Sequence, residues 1–279
     1  MPTYIEKQTE HPEIQNHWLS PDEKPLNRLE QVPRQLVIRQ VDHTAGFYTP
    51  FHRHGWGQLL FIADGLIQVS AKNIGYWVVP PQRAVWIPAY IEHDTRTIHS
   101  VQMRNVYIAP AAAKHLPNHC QVIHVTPLLR ELILAMVNFD TLYDEVGAEG
   151  RLVQVFLDQL KATPETPLYL PHPKSKPLIE IAHQLRHNPA DTRSMDDWGA
   201  QLGTSARSLA RHFRQETGMT FGQWRQQARL LAALTRIAQG DAIANIAQDL
   251  GYNSQSAFIT MFRKALGKTP GRYFEQEER

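Results

Sequence analysis

Gly199-x3-Gly203-x9-Phe213-x4-Gly218-x-Thr220 and Ala247-x3-Gly251-x10-Phe262-x4-Gly267-x-Thr269 are two versions of one pattern, and they decide how the C-terminal third of this 279-residue chain is read. A tiny residue, a Gly four positions later and a Phe in the next helix is the spacing of two helices that cross closely through a short turn. The tiny residue lets the backbones approach, and the Gly can take the left-handed turn conformation. Each block is therefore a helix-turn-helix candidate, and the duplication argues against chance.

In the first block the spacing predicts a helix over 195–202, capped by Ser194 and with Asp196 and Asp197 in its first turn, where the helix dipole favours acids. A second helix starts after Ser205 and stops at Gly218. Leu209 and Phe213 face inward, while Arg207, Arg211 and Arg214 follow i, i+4, i+7 on the opposite face. Three guanidinium groups on one face of such a second helix suit a DNA major groove; the alternative is a solvated basic face. In the second block a helix over 242–250 turns at Gly251, and another starts at Ser254 with Phe258 and Phe262 inward. Its outward face offers Gln255, Ser256 and Thr260, then Arg263 and Lys264, a set better suited to holding a phosphate backbone than to reading bases. Between the blocks, Trp224, Ala228, Leu231, Leu234 and Ala238 recur at helical spacing, so 221–238 reads as one stiff connector.

Residues 175–274 resemble the DNA-binding domain of the AraC-type transcriptional regulators. The most specific match is Gly251-Tyr252-Asn253-Ser254-Gln255-Ser256-Ala257-Phe258, followed by Phe262-Arg263-Lys264, Gly267-Lys268-Thr269-Pro270 and Tyr273. The resemblance implies seven helices, two helix-turn-helix units (195–217 and 242–266) and sequence-specific binding to double-stranded promoter DNA. By position it places base reading on Arg207, Ala210 and Arg211, and on Gln255, Ser256 and Thr260. Two residues depart from the family pattern. Gly199 stands where Ala is usual, at a cost of about 1 kcal/mol in helix propensity, and Thr260 stands where a longer basic residue is common.

Charge divides the chain. Residues 1–174 are net −2 and residues 175–279 are net +4, of which an acidic tail over 275–279 contributes −2. Polyanion binding therefore belongs to the C-terminal part. The single Cys120 excludes an intramolecular disulfide and suits a reducing compartment. With no signal-like start and no apolar run of about 20 residues, the expected location is cytoplasmic, without membrane association.

Residues 1–33 are polar and Pro-containing and read as a flexible arm. From 34 to 110 the pattern becomes short strands separated by turn residues, including an Asp64-Gly65 hairpin signal, as in an all-β barrel or jelly roll. Within it, Gly46-x5-His52-x-His54-x3-Gln58-x6-Gly65 and Pro88-x-Tyr90-x2-His93 resemble the two motifs of cupins. His52 and His54, two apart, project to one face of a strand. Gln58 stands where cupins carry Glu, Tyr90 where they carry Gly, and His93 where the second motif has its histidine. Three imidazoles and an amide oxygen suit a divalent zinc, nickel, iron or manganese ion. Two other readings stay open: contact with an organic effector without metal, or a satisfied structural cluster. Trp56, Trp77 and Trp86 are candidates to line an effector pocket, with core packing as the alternative for Trp77 and Trp86.

Apolar stripes over 126–139 and 152–160 predict a helical hairpin within 111–162, which resembles the helices through which sensors of this family pair, so a homodimer is expected. Pro164, Pro167, Pro171 and Pro173 mark 163–174 as an extended linker. A further helix over 177–188 leads into the first helix-turn-helix unit.

The fold class expected is thus α+β multidomain: an N-terminal cupin-like β-barrel or jelly roll with a helical hairpin, then an all-α double helix-turn-helix domain. The function that follows is a non-enzymatic, sequence-specific DNA-binding regulator under the control of a small-molecule or metal effector, with RNA polymerase as a further candidate partner. Two competing readings are a metal-dependent cupin enzyme carrying a DNA-binding module, and a helix-turn-helix pair that docks protein. A steep loss of affinity with salt separates phosphate neutralisation from a dry protein interface.

Overall fold

The computed structural model describes residues 26–161, 163, 165–166 and 168–274. Eleven strands form two antiparallel sheets among them. Sheet A holds β1 (Leu36–His43), β8 (Val101–Ile108), β3 (Gly57–Asp64), β6 (Arg83–Ile87), β9 (Gln121–His124) and β10 (Glu165–Thr166), in that spatial order. Sheet B holds β11 (Tyr169–Pro171), β5 (Gly75–Val79), β4 (Ile67–Ala71), β7 (His93–Thr97) and β2 (Tyr48–His52).

The strand sequences explain which faces are covered. In β4, Ile67, Val69 and Ala71 are buried and Gln68 and Ser70 are not; in β7, His93, Thr95 and Thr97 are buried and Asp94 and Arg96 are not. The two-residue period sends the first set of each strand into the sandwich. β3 lacks that alternation because both its faces are covered. Leu60 and Ile62 face sheet B, while Leu59 and Phe61 lie under α1 (Pro127–Met136) and α2 (Ala148–Lys161). Thr126 caps α1 through the Leu129 N–H and Pro127 opens it; Leu129, Leu132, Ile133 and Met136 then pack with Val153, Phe156, Leu157 and Leu160 of α2 over sheet A.

Three boundaries expected from sequence are corrected. The sandwich does not end at residue 110, because β9 pairs with β6 inside the stretch assigned to the hairpin. Nor is the Pro-rich linker a free spacer. β10 pairs with β9, and β11 pairs with β5, with Tyr169 opposite Trp77, and is itself the edge strand of sheet B. Proline is tolerated on such an edge because it need donate no ladder hydrogen bond there. Of the expected arm, residues 1–25 lie outside the described residues, but Leu26–Gln31 form a 3-10 helix whose Leu29 is buried beside Val37, Trp56 and Tyr107.

The C-terminal unit comprises α3 (Lys176–His187), α4 (Met195–Leu202), α5 (Ala206–Thr217), α6 (Phe221–Ala238), α7 (Ile243–Asp249) and α8 (Gln255–Leu266). The described residues thus hold six α-helices in this unit, followed by a 3-10 turn at Pro270–Arg272, where the resemblance implied seven helices. Ser194 and Asp197 form a capping box on α4, and Thr220 and Gln223 form one on α6. The departure at Gly199 has a steric cause. A Cβ there would lie 2.7 Å from the Thr204 carbonyl oxygen, so glycine lets α5 follow α4 more closely than alanine could.

This helical unit sits on the outer face of sheet B. α6 packs on β5 and β11. The Trp224 indole N–H donates to the Pro171 carbonyl (2.9 Å), Gln68 Nε2 donates to Thr235 Oγ1 (3.4 Å), and the Arg186 guanidinium lies 4.7 Å from the Tyr76 ring centre. Burial in this seam pushes the Tyr76 phenol well above its usual range. The Glu216 carboxylate on α5 accepts from the Lys174 and Ser175 N–H groups (2.6 and 2.8 Å), stabilising the start of α3, whose own Ser175 side chain makes no cap.

Candidate effector site and nucleic-acid interface

His52 ends β2, His54 follows in the turn to β3, Gln58 lies in β3 and His93 opens β7, so both sheets contribute to one cluster. His52 and His93 face each other as a register pair, their rings 4.3 Å apart. One potential ligand nitrogen from each of the three histidines can be chosen so that all lie within 4.8 Å of one another. The backbone sets their tautomers. Nδ1 of His52 lies 2.8 Å from the Pro50 carbonyl oxygen, Nδ1 of His54 lies 2.6 Å from that of Trp56, and Nδ1 of His93 lies 2.8 Å from that of Ile91. A carbonyl only accepts, so each Nδ1 carries the proton and each neutral ring keeps its Nε2 lone pair. Burial, first among the causes, holds all three imidazoles below their ordinary pKa; His93 falls to about 3, helped by repulsion from His52 and His54.

Gln58 Oε1 lies 3.2 Å from Nε2 of both His54 and His93, while its Nε2 donates to Asn105 Oδ1 (3.0 Å). In this orientation an amide oxygen and two imidazole lone pairs, all acceptors, face one another. A bound effector that donates hydrogen bonds would satisfy them, and so would two further arrangements. Either a cation lies among the acceptors, or the Gln58 and Asn105 amides both turn over so that the Gln58 NH2 donates to the rings. The donor set therefore fits a divalent metal and is also compatible with a metal-free hydrogen-bonded network.

Asn105 and Tyr107 were not singled out from sequence. Asn105 orients Gln58 across the sheet, and Tyr107 meets the His54 ring edge-on at 5.4 Å. An inward Asn within the apolar β8 was the available signal. Tyr90, the departure from the glycine of the second motif, has a φ of 65°, the left-handed conformation glycine would favour, and its N–H donates to the His54 carbonyl (2.9 Å). Of the three tryptophans, Trp56 packs with Leu29, Val37 and Tyr107 at the histidine end. Trp77 is buried and stacked on Tyr169 at 4.6 Å. Trp86 is corrected: it lies on the outer face of sheet A with the α1 and α2 core and donates to the Pro117 carbonyl, so it does not face the histidines. Its strand register, set by pairing Leu59 with Trp86, puts it there.

On α5, Leu209, Phe213 and Thr217 are buried and Arg207, Ala210, Arg211 and Arg214 are exposed. On α8, Phe258 and Phe262 are buried and Gln255, Ser256, Thr260, Arg263 and Lys264 are exposed. No ion pair among the described residues engages Arg207, Arg211, Arg214, Arg263 or Lys264. The connector α6 has 18 residues, a rod of about 27 Å at 1.5 Å per residue. No helix among the described residues is long and apolar enough to cross a membrane.

Two family models match the chain. One is described as an AraC-like ligand binding domain and covers residues 35–192; the other, a helix-turn-helix domain, covers 198–276. The chain is 39% identical over 228 residues to the HTH-type transcriptional regulator NimR of Escherichia coli, covering 81% of this chain and 82% of that protein. It is 35% identical over 247 residues to the transcriptional activator RhaR of Mannheimia succiniciproducens, covering 80% and 86%. A shorter match, 40% over 81 residues, covers 29% of this chain and 76% of the regulatory protein SoxS of Salmonella typhimurium.

Proposed function

Because the chain belongs to the AraC-type family of transcriptional regulators, we propose that it binds promoter DNA as a homodimer through α5 and α8 and responds to an effector at His52, His54, Gln58 and His93. The observation that supports this sensor most directly is the set of three imidazoles whose Nδ1 protons are tied to carbonyls and whose Nε2 lone pairs gather around Gln58. Such backbone bonds are how proteins orient histidines toward a divalent ion. The same four residues would hold that ion, and a donor set without a carboxylate would leave it charged enough to attract an anionic or oxygen-donor effector.

A route to the DNA-binding unit follows from sheet B. His93 lies on its inner face, paired with Ala71 of β4; three residues earlier on β4, Gln68 lies on the outer face and bonds Thr235 of α6. An effector that draws the imidazoles together moves the sheet that seats the helical unit. Control then requires that it bind one pose of that unit better than the other.

Two measurements test this. Elemental analysis of the purified protein, with and without His52→Ala and His93→Ala, should give stoichiometric metal that both substitutions remove. DNA selected by the wild type from a random pool should lose its advantage over random sequence in Arg211→Ala, by about 1–3 kcal/mol per lost base contact. Full discrimination by Arg211→Ala rules out α5 as the reading helix, and a metal-free protein whose DNA binding ignores added divalent ions rules out the metal and leaves an organic effector or a structural cluster.

A further inference from the structure

Between α6 and α8 lies an open groove of 660 Å³ whose lining includes Arg225, Gln226, Arg229, Ser256, Thr260 and Lys264. Among the described residues, no carboxylate lines it. Arg225 commits one N–H to the Arg193 carbonyl (3.1 Å) and lies over the Phe221 ring; Arg229 donates from Nε to the Pro189 carbonyl (2.7 Å) and lies over the Tyr252 ring. Both guanidinium groups are thus aimed by neutral groups, and among the described residues neither makes an ion pair. Asp191, the nearby acid that acts on both, is itself gripped by Arg193, whose Nε donates to it at 2.9 Å. Burial and the neighbouring Arg225 weigh against the charge on Arg229, a penalty that an anion in the groove would relieve.

The groove opens beside the outward face of α8, since Ser256, Thr260 and Lys264 belong to both. A helix lying in a major groove about 12 Å wide has a phosphate row along each flank. For α8 one of those flanks is this groove. We infer that Arg225 and Lys264, with Gln226 and with Arg229 at its edge, form a cradle for phosphodiesters of the strand that runs between the two reading helices. The inference rests on the DNA-binding reading and adds to it the connector helix as a phosphate contact. Such contacts fix register on the duplex without reading sequence.

The test uses the full chain and fluorescence anisotropy on two labelled duplexes, one of random sequence and one enriched by the wild type, from about 50 to 200 mM NaCl. Arg225→Gln and Lys264→Gln should each lower the slope of log affinity against log salt by about 1, equally on both duplexes, and leave the ratio between the duplexes unchanged. Arg225→Lys should keep the wild-type slope, as should Lys72→Gln, whose cation lies on the sandwich and pairs with Glu92. Matching thermal midpoints confirm folding. Wild-type slopes in both Gln variants overturn the cradle, and so does a loss confined to the enriched duplex. A third refutation is that pyrophosphate raises the melting point of the wild type but not of Arg225→Gln while the slopes stay equal; the groove then holds a free small anion. If the wild type itself shows no salt-dependent binding to either duplex, the DNA-binding reading fails first and takes the cradle with it.

Discussion

Gln58→Glu separates a histidine cluster that holds a metal ion from one closed by turned-over amides. Gln58 is 4% exposed, with Oε1 3.2 Å from two imidazole nitrogens and Nε2 bonded to Asn105. Without metal, the carboxylate has no NH2 to offer the rings, and a second acceptor now faces them. Asn105 can turn its own amide to donate, which saves one bond and leaves the ring-facing side unsatisfied and charged. The expected loss is about 2–4 kcal/mol, a buried unsatisfied group with part of its charge desolvation. At about 2–4 °C per kcal/mol for a chain of this size, the thermal midpoint in a chelator falls by roughly 5–15 °C. With a divalent ion bound, the sign reverses, because the carboxylate supplies the negative charge that Gln58 lacks, and metal affinity should rise by roughly tenfold or more. The assay is a thermal melt with chelator, zinc, nickel or manganese, alongside metal content by elemental analysis. A variant whose midpoint is equally low with and without every ion, and which holds no more metal than the wild type, refutes the reasoning about the metal and leaves the turned-over amides as the native arrangement.

Three further outcomes are expected. The three neutral imidazoles have folded pKa values below that of an unfolded histidine, near 6.5, so the unfolded chain binds more protons at moderately acid pH. Their contribution to stability is complete above about pH 6.5 and is lost as pH falls toward the His93 value of about 3, at up to about 1.4 kcal/mol per pH unit for each group. Midpoints measured across that range should flatten in His93→Gln; an unchanged slope would show that other groups control acid unfolding. Tyr90→Gly should stabilise the protein by about 0.5–1 kcal/mol, since it relieves a left-handed tyrosine at the price of a freer unfolded chain; a lower midpoint would mean that the Tyr90 ring contributes packing that outweighs its backbone strain. Leu128 and Val155 are exposed apolar residues on α1 and α2, and Leu128→Glu with Val155→Glu should convert a dimer to monomers in sedimentation without lowering the melting point much; an unaltered sedimentation coefficient places pairing elsewhere.

The two helix-turn-helix units were legible because their signals are local. Ser194, Ser205, Thr220 and Ser254 each cap the helix that follows, and Gly203 and Gly251 take positive φ at the two turns. A cap or a glycine acts on the few residues beside it, so its meaning survives without the rest of the fold. His52, His54 and Gln58 were legible for a similar reason, lying within seven consecutive residues around a strand end and turn.

What tertiary structure alone decided is everything that depends on which strands meet. Asn105 reaches Gln58 across 47 positions of sequence, Trp86 turns outward because of its pairing with Leu59, and Pro171 sits on a sheet edge because β11 pairs with β5. The seat of the helical unit on sheet B, from Gln68 to Thr235 and from Pro171 to Trp224, is likewise written in no single stretch. Side-chain direction in a sheet reverses with each one-residue change of register, and register is set by long-range pairing and by what covers each face. The chain by itself therefore determined which helices could meet DNA and which histidines could act together. Only the folded molecule decided what orients those histidines, which aromatic rings stand near them, and how their sheet touches the helices that carry the arginines.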